Sequence, residues 1–126
     1  MIATKKVEVT CTKEKFVDTN NRTVDFTAFK VQTDTYPVSF KAKETLGSEI
    51  LEDLIKDGNN VLELEINDEN VFEDENGDKH VYTSYQFNVG DLNIPIQLRG
   101  KGLAKQVLMN YVLKDNSPQD KKQKGD

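Results

Sequence analysis

The sequence has no tryptophan, one cysteine, one histidine and three prolines. Each shortage closes a class of function. With Cys11 alone, no disulfide can form within the chain, and Cys11 and His80 are too few for a Cys/His zinc site. Such cysteine usage suits a reducing compartment, and the cytoplasm is expected. No run approaches the ~18 consecutive apolar residues of a membrane-spanning helix, so no membrane partner is expected. The start, Met1 to Lys6, has no apolar stretch after its lysines and does not read as a signal peptide. Phosphate loops, nucleotide fingerprints and nucleophile–base sets are missing as well. Cys11 falls on an apolar strand face and reads as a core side chain rather than a nucleophile. The expectation is a binding protein that is not an enzyme and needs no cofactor or metal.

What is present is charge, unevenly spread. The 126 residues suit one domain with a short appendage, and their formal net charge is −5. Residues 1–43 hold eight basic and five acidic side chains, net +3. Residues 44–80 hold two basic and thirteen acidic ones, net −11, and residues 81–126 hold seven and four, net +3. A total of −5 argues mildly against a nucleic-acid partner; the split removes that argument, because the acidity belongs to one central block.

Alternation marks the strands. Val7, Val9 and Cys11 point one way within Lys5–Thr12, a half-buried strand. Asp18 to Arg22 is a turn, and Thr23–Thr33 a second strand forming a hairpin with the first. Tyr36–Ala42 is a third, with Tyr36, Val38 and Phe40 on one face. The period then changes. Leu46, Ile50, Leu51, Leu54 and Ile55 recur at helical spacing, which predicts a helix over Thr45–Asp57. Thr45 or Ser48 would cap its start, and Gly58 would end it. Val61–Asn67 and His80–Val89 are strands joined through Asn76-Gly77, a strong hairpin-turn signal. Leu92–Leu98 contains Pro95, so it is at best an edge strand. Residues 99–114 form a C-terminal extension in which Leu103, Val107, Leu108, Tyr111 and Val112 fit a helix, with a strand over Gln106–Leu113 as the alternative. Its apolar content suits either docking on the domain or a contact between copies. Residues 115–126 are polar and lysine-rich and read as a disordered tail.

Three strands, a helix and two more strands, with a hairpin on each side of the helix, is the element order of the OB-fold. That is a mainly β, five-stranded Greek-key barrel, here spanning residues 1–98, with the helix between strands three and four closing one end.

The run Val24-Asp-Phe-Thr-Ala-Phe-Lys-Val-Gln-Thr33, followed by Tyr36-Pro-Val-Ser-Phe-Lys41, resembles the second and third strands of a known family. These are the small OB-fold single-stranded DNA-binding proteins of Gram-positive phages and conjugative plasmids. The likeness covers roughly residues 5–90 and rests on pattern. It implies non-sequence-specific binding of single-stranded DNA in phage or conjugative-element DNA metabolism. One departure is the tail from Lys114, which carries four lysines and three aspartates. It lacks the acidic, apolar-tipped ending through which cellular single-stranded DNA-binding proteins dock partners.

Single-stranded nucleic acid is held by aromatic rings that stack on bases and by cations that follow the phosphates. In an OB-fold both stand on the outer face of strands two and three. Alternation turns Thr27, Phe29 and Val31 inward on strand two, leaving Phe26, Lys30 and Gln32 outside. A bulge would exchange Phe26 and Phe29. Strand three offers Ser39 and Lys41. On strand five Val81, Tyr85 and Phe87 face in, leaving Tyr82, Ser84 and Gln86 out. The candidate surface is therefore Phe26, Lys30, Ser39, Lys41, Tyr82 and Gln86, with Arg22 at the hairpin tip. DNA and RNA are both open as ligands.

The acidic run Asp68, Glu69, Glu73, Asp74, Glu75 and Asp78 lacks the spacing of a calcium loop and its closing glutamate. It reads as the solvated tip of the second hairpin, which would repel phosphate or imitate DNA for a basic partner. A rival reading follows: a non-catalytic adaptor of a phage or conjugation complex that uses this acidic surface.

Overall fold

The computed structural model describes residues 2–100 and 102–114. The expected disordered tail, 115–126, lies outside the described residues. Six strands and two helices run in the order β1 (Ile2–Val17), β2 (Thr23–Val31), β3 (Val38–Ala42), α1 (Thr45–Lys56), β4 (Val61–Glu73), β5 (Lys79–Val89), β6 (Leu92–Leu98) and α2 (Gly102–Lys114). All neighbouring strands pair antiparallel, and the sheet closes on itself as β1-β2-β3-β6-β5-β4, with β4 returning to β1.

The ring has six strands where five were expected, and the sixth corrects the reading of Pro95. β6 is no edge strand, for it pairs with β3 on one side and β5 on the other. Its carbonyl accepts a hydrogen bond from the Lys43 amide, at 3.0 Å. A strand residue directs its N and O to the same side. The missing N–H of Pro95 therefore faces the point where β3 has already ended, and the ladder to β5 loses nothing. The extension after β6 is a helix, and the strand alternative falls away.

Inside the ring, Val7, Val9, Phe29, Val31, Val38, Phe40, Leu64, Ile66, Phe87 and Ile96 are buried together. The three phenylalanines meet in sequence, Phe29 stacked on Phe40 with centroids 5.5 Å apart and Phe40 tilted against Phe87 at 5.3 Å. Phe29 is 2% exposed, so the alternation holds without the bulge that would have exchanged it with Phe26.

The helices cover the two ends of the ring. α1 follows from the end of β3 and buries Leu51. A Cβ on Gly47 would stand 2.9 Å from the Ile94 Cγ2, so this position must be small for the helix to approach the ring. Neither Thr45 nor Ser48 caps α1. Glu44 is the N-cap and makes no side-chain cap bond. The C-terminal end is as expected: Gly58 takes a positive φ of 88°, its amide bonds to the Ile55 carbonyl, and the Asn59 amide bonds to Leu54. α2 buries Ala104, Leu108 and Val112 in the core of the domain. Lys114 on α2 pairs with Asp34 in the β2–β3 loop at 2.9 Å and holds that carboxyl below its usual range. Lys5 near the start of β1 lies 4.5 Å from the Tyr111 ring centre.

Two hairpin arms extend past the ring, because β1 and β4 run longer than the alternation suggested. Only Ile2–Glu8 of β1 pairs with β4, so Lys13–Val17 with Thr23–Thr27 project beyond it at the α1 end. At the α2 end, β4 outruns the start of β1 after Asn67, a register shift follows between Asn67 and Asn70, and the rest of β4 projects with β5. Both arms close through the same five-residue turn. The first residue's carboxylate, Asp18 or Asp74, accepts the amides two and four residues on. The fourth residue is left-handed, Asn21 at φ 61° and Gly77 at φ 82°.

One charged cluster ties the first arm to α1. Lys13 Nζ donates to Glu52 at 2.6 Å and to Thr27, and the Thr27 hydroxyl donates to the same carboxylate at 3.0 Å. The Lys13 bond, followed by the Thr27 bond, holds the Glu52 carboxyl below its ordinary value of 4.5 despite partial burial. A depressed folded-state pKa contributes stability above the unfolded value, and that stability is lost as pH falls through the folded one. Thermal melts between pH 7 and pH 3 should therefore show a smaller acid loss in Glu52→Gln than in the wild type. Equal slopes would remove Glu52 from the acid response.

Candidate nucleic-acid interface

Because Phe29 and Val31, Val38 and Phe40, and Ile94 and Ile96 point into the ring, the alternate residues of β2, β3 and β6 share its outer face. Lys30 stands opposite Ser39, and Lys41 opposite Gln97. The Arg99 amide bonds to the Ser39 carbonyl at 2.8 Å, which sets Arg99 beside Ser39 just past the end of β6. β2 and β3 pair only over Phe29–Val31 and Val38–Phe40, then splay apart. The splay opens a cleft lined by Glu14, Phe26, Ala28, Lys30, Ser39 and Arg99. A second, shallower depression continues it over Lys41, Gln97 and Arg99.

Two rings stand over this cleft. Phe16 and Phe26 meet edge to face with centroids 5.6 Å apart, and the Arg99 guanidinium lies 6.0 Å from the Phe26 ring centre. Phe26 is half-buried and Phe16 exposed. Among the described residues, Lys30, Lys41 and Arg99 form no ion pair. The one carboxylate in the cleft, Glu14, accepts a bond from the Thr12 hydroxyl at 3.0 Å. No family model, no curated protein and no solved structure matches this chain.

The candidate residues therefore divide. Phe26, Lys30, Ser39 and Lys41 come together on the β2–β3–β6 face. Gln86 faces out from β5 on the far side of β6, opposite Glu65. Its amide donates to Asn88, which in turn donates to Glu63 and Glu65, so Gln86 belongs to an acidic sector. Arg22 sits at the tip of the first arm, four residues and about 13 Å of strand beyond Phe26. Tyr82 sits on the other arm, at the opposite end of the ring, against Phe72 at 5.8 Å. Val81, expected to face the core, is 71% exposed, because that arm has left the core behind.

Three members of the face escaped the sequence reading. Arg99 was hidden in a Gly-rich break, and Gln97 in a segment discounted for its proline. Phe16 could have been found by carrying the outward alternation Thr10, Thr12, Glu14 two residues further. Charge is sorted on the outer surface, with Lys30 on β2, Lys41 on β3 and Arg99 just past β6, and Glu63 and Glu65 on β4. Among the described residues, no three His, Cys, Asp or Glu side chains could hold a metal ion, and no helix is long and apolar enough to cross a membrane.

Proposed function

We propose that this protein binds single-stranded DNA without sequence preference along the outer face of β2, β3 and β6, in phage or conjugative-element DNA metabolism. Its ring is an OB-type barrel in which β6 is inserted between β3 and β5. The topology supports this: β1 pairs with both β2 and β4, and α1 lies between β3 and β4, as in that fold. The observation that carries the functional reading is the cleft itself. Phe26 with Arg99 over its ring gives a base a stacking surface, and the unpaired Lys30 and Lys41 give phosphates their counter-charges. The contacts are shape- and charge-based, hence the lack of sequence preference. No chemistry is performed on the strand.

Three cations on the face predict a modest salt dependence. Fluorescence anisotropy with labelled oligo-dT should give log K falling against log salt with a slope of about −2, at roughly 0.7 per phosphate contact on a single strand. Lys41→Glu should flatten the slope by about one contact. A salt-independent affinity would refute phosphate binding by this face. The adaptor reading draws on one observation, the unpacked apolar side chains of the β4–β5 arm, and it predicts no oligonucleotide binding at any salt.

A further inference from the structure

The β4–β5 arm is a two-stranded sheet with apolar side chains on both faces, and among the described residues these stay exposed. Val71 and Val81 pair on one face, at 55% and 71% exposure. Phe72, His80 and Tyr82 make a row on the other, with Phe72 stacked on His80 at 5.1 Å and 24° and tilted against Tyr82. A two-stranded hairpin gains little stability alone in water, and a contiguous exposed apolar surface marks a contact. Around these rings, residues 67–82 carry six carboxylates and one lysine. The arm's turn is pinned by Asp74: its carboxylate meets His80 at 2.7 Å and accepts the Asp78 and Asn76 amides, and these bonds, His80 foremost, hold it below the usual range.

Charge decides what can cover it. Two such arms meeting each other would repel, so an arm-to-arm contact is excluded. Among the described residues, a surface that complements a row of rings flanked by carboxylates is the cleft of Phe16, Phe26 and Arg99 flanked by Lys30 and Lys41. In its own molecule the arm continues the β4–β5 ladder out to Glu73 and Lys79, and its rings contact one another rather than the cleft. It can reach that of a second molecule.

We propose that the β4–β5 arm of one molecule docks in the Phe26–Arg99 cleft of a second copy of this chain. There it takes the place of a nucleic-acid strand, with Phe72 and Tyr82 standing where bases stack and two exposed carboxylates of the arm's tip, Glu75 in the turn and Asp78 on the ring face, where phosphates lie. The shared use of the cleft rests on the nucleic-acid reading above; the contact between copies does not. Self-association and oligonucleotide binding then exclude one another, so free protein is held in a form that single strands release.

Sedimentation velocity on the full chain tests this. At low salt the wild type should self-associate, dissociate as salt rises, and dissociate again on addition of oligo-dT. Glu75→Lys/Asp78→Lys and Lys30→Glu/Lys41→Glu should each be monomeric, weakened about tenfold or more by like-charge contact. Mixing the two variants should restore a complex, because the reversed arm then meets a reversed cleft. A wild type that stays monomeric at low salt while still binding oligo-dT would overturn the arm contact alone. So would association that survives both reversals. If oligo-dT binds but leaves the complex intact, the shared cleft is wrong. Association restored by the charge swap without any oligo-dT binding would sink the nucleic-acid reading and leave the arm contact standing.

Discussion

Replacing Phe26 by alanine is expected to weaken oligo-dT binding by about 1–3 kcal/mol, the cost of one lost base–aromatic stack, or roughly five- to 150-fold in Kd. The effect should be large because the ring is a meeting point. Phe26 touches Phe16 at its edge and lies under Arg99, so its removal takes away the stacking surface and leaves the guanidinium unsupported. The fold should survive, since Phe26 stands on the outer face of β2 while the core phenylalanine of that strand is Phe29. Phe26→Trp should retain binding. Tyr82→Ala, on the opposite arm, should leave oligonucleotide affinity near the wild-type value. Anisotropy titrations of the three variants check the pattern; equal losses at Phe26 and Tyr82 would mean that the strand follows another path.

The largest effect on stability is expected at Phe40. Its side chain is 1% exposed and is the middle member of the stack between Phe29 and Phe87, bridging β2, β3 and β5 across the interior. Phe40→Ala should cost about 3–5 kcal/mol through lost transfer energy and an unfilled cavity. That is a third or more of what a domain of this size usually has, and it should lower Tm by roughly 10–20 °C. By contrast, Phe72→Ala removes a ring that is 51% exposed and should move Tm little. Calorimetric melts distinguish the two. A Phe40→Ala protein melting within a few degrees of wild type would contradict the closed, packed ring.

How much could be read in advance depended on what each residue faces. Val7, Val9 and Cys11, and Leu62, Leu64 and Ile66, alternate because one side of their strands meets the core, so these strands were legible. The arms were not, since Lys13–Val17 and Asp68–Glu73 have solvent on both faces and lose the period that marks a strand. Val81 kept its alternation with Phe87 but had no core beneath it, since β1 begins too late in the pairing to cover that part of β4. Pro95 misled for a different reason: its effect depends on which neighbour its missing N–H faces, and that is a property of the ring. The faces of β2 and β3 followed from alternation alone, which is why Phe26, Lys30, Ser39 and Lys41 were found together. Arg99 was not, because it joins them through closure of the sheet by β6, a contact between residues 60 positions apart in the chain. The same closure explains the charge. Lys30, Lys41 and Arg99, from the two net-basic segments, meet on one face, and the −11 block becomes α1, β4 and the second arm.

The most direct test of the account is an amide chemical-shift titration of the isotope-labelled protein with oligo-dT at low salt. The largest shifts should fall on Phe26, Ala28, Lys30, Ser39, Lys41, Gln97 and Arg99, with Glu63, Glu65 and Gln86 nearly unmoved. Shifts confined to the β4–β5 arm and α1, or no shifts at all, would contradict it.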